Sequence, residues 1–412
     1  MYAVITAGGK GTRVAAVSGS LPKPMLPICG KPVLEYQIEC LRRQGMTDII
    51  LTIGHLGEQI RAWFGDGSRF GVRISYLEES APLGTAGALY YLKDRIKEDF
   101  LLLNGDLIFD VDFGRMHAFH QAKDAEITLL GHPNDHPYDS GILMTDEDGR
   151  VTGWLAKEDE RGWYRNCVNA GIHILSPSAL ARIDAVRKWD LDREVIRPAI
   201  PKGRVFAYRS PEYIKDMGTP ERMAAVEQDL RSGLVRQKNL GEKQRAVFLD
   251  RDGTINRYVG FLRSPEELEL LDGAAESIRT INRSGYLAIV VTNQPVIARG
   301  EVTWEQLHEI HRKLETLLGQ KGAYLDDILI CPHHPDKGFA GERPEYKTDC
   351  ECRKPKPGLL LQAADKYHID LAESWMIGDT AQDMEAGQAA GCKTMRVDGT
   401  FTLLDAVRRI GL

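Results

Sequence analysis

Residues 246–254 read AVFLDRDGT: a short apolar run leads into two aspartates that lie two positions apart. Such a run is typical of a buried strand, and the carboxylates stand where that strand would end. A turn with a helix cap would give the same local pattern. Two further apolar runs end in polar residues, Leu287–Val291 before Thr292 and Trp375–Ile377 before Asp379. Because parallel strands end at one edge of a sheet, we expect these polar groups to converge there.

Short apolar runs alternate with helical patterns throughout the 412 residues, and N-terminal examples are Tyr2–Thr6, Ile49–Ile53 and Phe100–Leu103. Strands that alternate with helices predict α/β domains with mainly parallel sheets. The length is too great for one ordinary domain and suggests two or three. The sequence therefore predicts two Rossmann-like domains, each with its own sheet.

The domain boundary is expected near residue 240. Thr219-Pro220 is typical of an N-cap followed by proline at the first helical position, and Gly233 is a candidate for the end of that helix. A polar stretch follows before the strand at Ala246. We predict domains at 1–235 and 245–412, joined by a solvated linker at 236–244.

Composition excludes several classes of protein. The net charge of −6 gives no overall positive field for nucleic acid or an anionic membrane. We find no apolar run of 18 residues and no signal-peptide pattern, so we expect a cytoplasmic protein that does not cross a membrane. Small molecules are the expected partners. The sequence does not determine the oligomeric state, and a homo-oligomer remains open.

A glycine-rich turn follows the first predicted strand, where residues 7–13 read AGGKGTR. Glycines let backbone N–H groups approach phosphate oxygens, although the spacing fits neither the dinucleotide fingerprint nor a Walker loop. Lys23 stands between two prolines that would fix its direction. Asp106 follows the strand at Phe100–Leu103 and is a candidate magnesium ligand. Asp216 precedes a helix, so it fits either a magnesium ligand or a carboxylate at a helix N-terminus.

Six motifs in this order resemble the sugar-phosphate nucleotidylyltransferase family, which implies a GT-A-like fold over residues 1 to about 230. They begin at Ala7, Pro22, Pro82, Asn104, Asn169 and Asp216. The resemblance implies that Lys23 is catalytic and that Asp106 and Asp216 bind Mg²⁺. It also implies binding residues for the nucleotide and the sugar phosphate: Gly8, Gly9, Gly11, Thr12, Arg13, Gly84, Thr85, Asn169 and Gly171. The stretch around Lys157 departs from the usual Glu-Lys-Pro, so Lys157 is only a candidate phosphate ligand.

The C-terminal elements resemble the haloacid dehalogenase (HAD) superfamily of phosphatases. By that resemblance, Asp250 attacks phosphorus, and Asp252 protonates the leaving oxygen and then activates water. Substrate would be bound by Thr292, Asn293, Arg353 and Lys354. Mg²⁺ would be held by Asp250, the backbone carbonyl of Asp252 and Asp379, with Asp383 in support. His308 and His311 lie in an amphipathic helix predicted at Trp304–Leu318, and we interpret them as residues of a helix face rather than ligands.

Two close pairs of metal-binding residues stand on either side of a polar loop. Cys331 and His333 precede Cys350 and Cys352, and this spacing predicts a structural zinc site in a reducing compartment. His334 is the alternative histidine ligand. Within the superfamily, such a loop resembles heptose bisphosphate and histidinol phosphate phosphatases. The chain departs from them at Pro295-Val296, where Ser-Gly is usual, and this departure puts the shape of that loop in question.

Together the two resemblances imply consecutive steps toward a nucleotide-activated heptose. A 7-phosphatase would make heptose 1-phosphate from heptose 1,7-bisphosphate, and a transferase resembling the heptose 1-phosphate guanylyltransferases would couple it to GTP. One alternative is a mannose- or glucose-1-phosphate nucleotidylyltransferase fused to a histidinol-phosphate-like phosphatase. Another is a sugar-nucleotide sensor with one inactive domain. No residue decides the nucleotide base.

Overall fold

The computed structural model describes residues 1–8 and 21–412. Four predicted nucleotide-binding residues, Gly9, Gly11, Thr12 and Arg13, lie outside the described residues. Contacts divide the chain into two compact units: residues 1–131, 143–154 and 169–239, and residues 132–142, 155–168 and 240–412. The main division falls within the predicted linker. The sequence did not indicate that residues 132–142 and 155–168 would group with the second unit.

The first unit is built on a mixed sheet, with nine strands in the described part of the chain. The order β10-β9-β11-β6-β1-β4-β5 forms its main path, and β8 pairs with β11 and β12. The thirteen strands of the N-terminal region are β1 Ala3–Thr6, β2 Pro27–Ile28, β3 Lys31–Pro32, β4 Asp48–Ile53, β5 Arg73–Glu78, β6 Phe100–Asn104, β7 Leu107–Asp110, β8 Ile127–His132, β9 Ile142–Thr145, β10 Val151–Leu155, β11 Val168–Leu175, β12 Val205–Arg209 and β13 Tyr213–Asp216.

The helices of this region cover the sheet or lie at strand ends. They are α1 Val33–Arg43, α2 Gly57–Phe64, α3 Phe113–Ala122, α4 Pro177–Leu180, α5 Pro220–Ser232 and α6 Leu234–Gln237, with 3₁₀ turns at Lys23–Met25, Ser68–Phe70, Gly87–Leu92, Pro137–Asp139 and Arg197–Lys202 and a π-helix at Leu191–Ile196. The predicted boundaries of α5 are confirmed: the Thr219 side chain caps the helix by accepting from the Arg222 N–H, and Gly233 ends it in a left-handed conformation.

Strands β1, β4 and β6 form the parallel centre of this sheet. Ile5 pairs with Leu51 on one side and Leu103 on the other, and all three side chains are buried. The apolar residues from which the three strands were predicted thus pack side by side in the centre of the sheet. Their carboxyl ends lie together, with Thr6 in register with Asn104. At this edge the N–H of Gly105, from the motif after β6, donates to the Thr6 carbonyl at 3.0 Å.

The second unit has a parallel five-stranded sheet with the order β16-β15-β14-β17-β18. Its strands are β14 Arg245–Leu249, β15 Tyr286–Asn293, β16 Asp327–Cys331, β17 Trp375–Gly378 and β18 Lys393–Arg396. Its helices are α7 Ala274–Asn282, α8 Trp304–Gln320, α9 Gly358–Tyr367, α10 Ala381–Ala390 and α11 Leu403–Arg409, with 3₁₀ turns at Pro265–Glu267, Pro344–Tyr346 and Leu371–Glu373. The two predicted α/β folds are confirmed.

The stretch between the domains differs from the expected solvated linker. Lys238 and Gln244 are buried, and α6 begins directly after Gly233. Asn239 donates from Nδ2 to Asp110 Oδ1 at 2.7 Å within the first unit. Gln244 exchanges backbone hydrogen bonds with His368 and Asp370 within the second. The predicted linker is therefore solvated only in part: Arg236, Glu242 and Lys243 are exposed, whereas Asn239 and Gln244 bind a buried carboxylate and backbone groups.

No helix within the described ranges is long and apolar enough to cross a membrane.

Gly84 allows its backbone to approach the Trp189 carbonyl more closely than any amino acid with a side chain would permit. Its φ is +76°, and an added Cβ would lie 2.3 Å from the Trp189 carbonyl oxygen. We expect Gly84→Ala to lower the free energy of unfolding by about 2–4 kcal/mol, from left-handed strain plus overlap. Urea unfolding followed by tryptophan fluorescence measures this loss.

Gly30→Ala is the matched control, because Gly30 has a φ of +83° and nothing lies within 4 Å of its added Cβ. It should cost only about 1 kcal/mol. Equal losses in the two variants would mean that the contact with Trp189 is unimportant.

Candidate active sites

The carboxyl edge of the second sheet collects acidic side chains. Asp250 follows β14, and its N–H donates to the Ile377 carbonyl of β17 at 3.0 Å. Carboxylate oxygens of Asp250, Asp379 and Asp383 lie within 4.8 Å of one another. This grouping brings together three of the carboxylates that the sequence associated with magnesium.

Lys354 supplies positive charge to this acidic group. Its Nζ lies 2.7 Å from Asp250 Oδ1 and 2.6 Å from Asp383 Oδ1, and its side chain is 3% exposed. Burial raises the pKa of Asp250 to about 6; the Lys354 ammonium opposes that rise, whereas the like charge of Asp383 adds to it. Any further cation at this point would favour the ionised, nucleophilic form of Asp250.

One carboxylate oxygen of Asp379 is buried and has no hydrogen-bond partner among the described residues. An orphaned anionic oxygen beside two other carboxylates is the donor set that a hard divalent cation requires. Gly253 leaves room for the Asp379 carboxylate, because an added Cβ at Gly253 would lie 2.3 Å from Asp379 Oδ2. The residues present therefore fit a bound magnesium ion.

Asp252 is held apart from this group. The buried Arg251 guanidinium donates to both of its carboxylate oxygens, at 2.9 Å and 2.7 Å from Nη2. Asn256 Nδ2 and Gln294 Nε2 each donate at 2.9 Å. Although burial opposes ionisation, Arg251 and these donors together hold the pKa of Asp252 below its usual value. The two aspartates of the AVFLDRDGT stretch thus have different environments and can take different roles.

Gln294 also directs the Thr292 hydroxyl. Its Nε2 donates to Thr292 Oγ1 at 2.9 Å as well as to Asp252. A carboxylate only accepts, so the NH₂ group of Gln294 must face both partners. The Thr292 oxygen is therefore an acceptor here, and its own hydrogen stays available for a phosphoryl oxygen in the cleft.

A cleft lies over these groups, lined by Asp250, Asp252, Tyr258, Gly260, Phe261, Leu262, Thr292, Asn293, Gln294, Pro295, Val296, Arg353, Lys354, Asp379, Thr380, Gln382 and Asp383. Asn293 fixes one wall, because its side chain donates to the Lys354 carbonyl at 3.0 Å and accepts from the Lys354 N–H at 3.1 Å. Despite the unusual Pro295-Val296, this loop is ordered as turns, and Val296 is buried with Ile297.

Cys331, His333, Cys350 and Cys352 form a second group of potential metal ligands. The three sulfur pairs are 3.1–3.5 Å apart, and no disulfide joins them. A tetrahedral zinc–thiolate site would give about 3.8 Å between sulfurs. Hydrogen bonds from Cys331, Cys350 and His333 lower the pKa of Cys352 to about 5, which favours the metal-binding thiolate.

The alternative histidine, His334, lies outside this group, and its Nδ1 accepts from the Asp336 N–H at 3.2 Å. The cluster is connected to the cleft through two backbone carbonyls. The Cys331 carbonyl accepts from the Gln294 N–H at 2.7 Å, and the His333 carbonyl accepts from Arg353 Nη1 at 3.0 Å. The backbone at Cys331 and His333 thus supports Gln294 and Arg353, which line the cleft.

In the first unit, the structure brings together Lys23, Asp106 and the backbone of Asp216. Lys23 Nζ forms an ion pair with Asp106. The Asp106 carbonyl accepts from the Met217 N–H at 3.1 Å. Asp106, in the turn before β7, therefore lies beside Asp216 at the end of β13, the strand that pairs with β7. The Asp216 carboxylate accepts from Gly218 N and Arg222 Nη1, each at 2.7 Å. Asp216 therefore interacts with the start of α5, as its alternative interpretation predicted.

The sugar motif, with Asn169 and Gly171, lies in β11, whereas the base motif, with Gly84 and Thr85, lies in the loop after β5. Gly171, with φ at +73°, packs so closely on Asn104 that an added Cβ would lie 2.3 Å from Asn104 Nδ2. Asn169 Oδ1 contacts His173 Nε2 at 3.2 Å. The Thr85 hydroxyl accepts from the Leu191 N–H at 2.7 Å and so holds the segment opposite Gly84.

The predicted ligands Gly8 and Lys157 have no described contact with the other candidate residues of the transferase site. Gly8 is described, and its added Cβ would be 3.3 Å from Glu79 Oε1, but the loop beyond it is not described. Lys157 is exposed in a turn after β10. Its role stays a prediction.

Sequence reasoning missed Arg251, Asn256 and Gln294 as functional residues. Arg251 and Gln294 each stand next to a predicted site residue, which was a usable signal. Asn256 and the cleft residues Tyr258 to Leu262 had no signal, because they follow the motif in a loop without periodicity.

Comparison with known proteins assigns both parts of the chain. The nucleotidyl transferase family matches residues 2–233, which is more than half of the chain, and the HAD-hydrolase-like family matches residues 351–409. The D-glycero-beta-D-manno-heptose-1,7-bisphosphate 7-phosphatase of Yersinia pestis is 42% identical over 149 residues, covering 36% of this chain and 77% of the relative. The chain belongs to the nucleotidyl transferase family and, through its C-terminal part, to the HAD-like phosphatases.

A second relative matches the N-terminal part. The mannose-1-phosphate guanylyltransferase of Mycobacterium tuberculosis is 32% identical over 235 residues, which cover 56% of this chain and 65% of the relative. A crystal structure of HddC from Yersinia pseudotuberculosis is 28% identical, covers 56% of this chain and 99% of its own, and has a TM-score of 0.49. The family matches and the two relatives confirm the predicted fusion of a nucleotidyltransferase with a HAD-like phosphatase. The chain is an enzyme with a transferase part and a phosphatase part.

Lys354→Met removes the cation between Asp250 and Asp383 while keeping much of the side-chain volume. We expect release of inorganic phosphate from a sugar phosphate to fall by about 10²–10³-fold, because the nucleophile and the phosphoryl oxygens lose their main positive partner. Colorimetric phosphate detection measures this rate.

Lys356→Met is the control for Lys354→Met, since Lys356 lies in the same segment, is partly exposed and pairs with Asp349 and Glu351. It should retain the wild-type rate. A Lys354→Met variant with more than a tenth of the wild-type rate would show that Lys354 is not needed for phosphate transfer.

Proposed function

We propose that this chain makes a nucleotide-activated heptose in two consecutive reactions. The phosphatase part removes the 7-phosphate of D-glycero-D-manno-heptose 1,7-bisphosphate. The transferase part couples the resulting heptose 1-phosphate to GTP and releases pyrophosphate. The heptose specificity is supported by the identity of 42% to heptose bisphosphate phosphatases, and the guanine preference by the identity of 32% to a guanylyltransferase.

In the phosphatase reaction, Asp250 attacks the 7-phosphorus and an aspartyl phosphate forms as the bond to the sugar oxygen breaks. Asp252, which must carry a proton at this step although Arg251 holds its pKa low, supplies that proton to the oxygen and then takes a proton from the water that hydrolyses the aspartyl phosphate. Lys354, Arg353, the Asn293 backbone and the Thr292 hydroxyl hold the phosphoryl oxygens. The observation that carries this proposal is the separation of the two aspartates: Lys354 contacts Asp250, and Arg251 contacts Asp252.

In the transferase reaction, an oxygen of the sugar 1-phosphate attacks the α-phosphorus of GTP, and pyrophosphate leaves. Two anions must meet, so the contribution of the protein is alignment and charge compensation. Lys23 would bridge the phosphates of both substrates, and the loop from Gly8 to Arg13 would hold the triphosphate. Gly84 and Thr85 would line the base pocket, while Asn169 and Gly171 would contact the sugar.

Mg²⁺ is the proposed cofactor of both parts, and it would lower the repulsion between a nucleophilic oxygen and an anionic phosphate. Asp250, Asp379 and the Asp252 carbonyl would hold it in the phosphatase, with Asp383 in support. Asp106 and Asp216 would hold it in the transferase. Zn²⁺ is proposed at Cys331, His333, Cys350 and Cys352, in a reducing cytoplasm, as a structural ion.

The proposal is tested by incubating the chain with heptose 1,7-bisphosphate and GTP and measuring phosphate and pyrophosphate separately. Asp250→Asn should abolish phosphate release, because the amide is a poor nucleophile. Lys23→Ala should abolish pyrophosphate release from heptose 1-phosphate and GTP, and each variant serves as the control for the other reaction. Phosphate release that survives in Asp250→Asn would contradict the assigned nucleophile.

Panels of substrates decide between this proposal and its alternatives. Mannose 1-phosphate or glucose 1-phosphate as the better transferase substrate, together with histidinol phosphate as the better phosphatase substrate, would favour the alternative fusion. A wild-type chain that binds GDP-heptose but releases only one of the two products would favour a sensor with one inactive domain.

The zinc proposal has its own test in metal content. Cys352→Ser should lower bound zinc from about one ion per chain to less than a tenth of that, because the thiolate is the strongest type of zinc ligand in the cluster. Plasma mass spectrometry of dialysed protein measures it. Cys29→Ser, at an exposed free thiol, should leave the zinc content unchanged. Full retention of zinc in Cys352→Ser would overturn the assignment.

A further inference from the structure

We propose that Arg251 and His311 are positioning residues of the phosphatase: as a buried pair, they fix the direction of the Asp252 carboxylate for proton transfer. This inference rests on the proposed phosphatase function. Arg251 stands between the two aspartates of the motif, and His311 lies on α8, far away in the sequence. The tertiary structure brings the three side chains into one chain of hydrogen bonds.

Arg251 is completely buried. Its Nη2 donates to both Asp252 oxygens, and its Nε donates to Oδ1 at 3.2 Å. A guanidinium that contacts both oxygens of a carboxylate fixes the direction of that carboxylate as well as its distance. Asp252 therefore cannot turn without breaking several charge-assisted hydrogen bonds.

His311 holds the other side of the guanidinium, because Arg251 Nη1 lies 3.0 Å from His311 Nε2. A guanidinium only donates, so Nε2 must be the acceptor and the ring proton is on Nδ1. The His311 imidazole is buried. It belongs to the buried face of α8, together with Leu307, Ile310 and Leu314. A capping box formed by Thr303 and Gln306 stabilises the N-terminus of this helix. His311 is therefore held on a stable element of the fold.

The pair also divides the positive charge between the catalytic carboxylates. Lys354 contacts Asp250 and Asp383, whereas the guanidinium of Arg251 contacts Asp252. Without His311, Nη1 of Arg251 would be a buried donor with no acceptor, and such a group costs free energy. Arg251 would then rotate toward another acceptor and carry the Asp252 carboxylate with it. The result would be slower proton transfer with unchanged phosphate binding.

The test compares two substitutions of His311 in the full-length chain. We expect His311→Leu, which has no acceptor, to lower kcat for phosphate release from heptose 1,7-bisphosphate by about tenfold or more, with little change in KM. His311→Gln offers a side-chain oxygen to Nη1 and should recover most of the lost rate. His308→Leu, on the same helix, is the matched control and should keep the wild-type kcat.

Arg251→Lys is a second variant, which keeps the charge but cannot contact Asp252 and His311 together. It should also lower kcat, and it decides the question if His311→Leu does not fold. Pyrophosphate release from heptose 1-phosphate and GTP by the same preparations provides an activity that does not use Asp252.

The outcomes separate the two proposals. A wild-type chain that releases no phosphate would overturn the proposed phosphatase function and this inference together. A wild-type chain that is active, with unchanged kcat in His311→Leu or Arg251→Lys, would overturn only the inference. A rate that His311→Gln fails to recover relative to His311→Leu would also overturn it, since the role of His311 would then be packing alone.

Discussion

The ion pairs from Lys354 to Asp250 and Asp383 are the interaction on which the phosphatase site depends. Parallel strands bring several carboxylates to one edge of the sheet, and burial there would drive them toward the neutral form. The buried ammonium lets Asp250 keep its charge in a low-dielectric environment. Asp379, with one orphaned oxygen, completes a group that still carries more negative than positive charge. The site is therefore prepared for a divalent cation and for an anionic substrate.

The position of Lys354 depends both on the loop at residues 331–354, which carries the three clustered cysteines, and on the end of β15. It follows Cys352 by two residues, and Asn293 holds its backbone from the end of β15. The same loop supports Gln294 through the Cys331 carbonyl. Because the polar residues between the two ligand pairs can bury little apolar surface, a metal at the cysteines would be the main source of order for this wall of the cleft.

The two units solve a similar problem with different geometry. Both place the candidate catalytic side chains after parallel strands, where strand order brings distant motifs together. In the first unit, Lys23 reaches Asp106 from a proline-flanked 3₁₀ turn, and Asp216 is brought beside it by the antiparallel pairing of β13 with β7. The sequence order of the motifs does not reveal this antiparallel pairing. It depends on which strand edge is free to accept another strand.

The sequence by itself determined the two α/β folds, the ends of the main strands and the cap of α5, and it supplied the candidates for the catalytic side chains. Those features follow from local apolar patterns and from motif spacing. The tertiary structure alone decided how polar side chains are paired: Arg251 with His311, Gln294 with both Asp252 and Thr292, and the burial of Lys238. Arg251 and His311 are 60 positions apart, and local periodicity carries no information about such contacts.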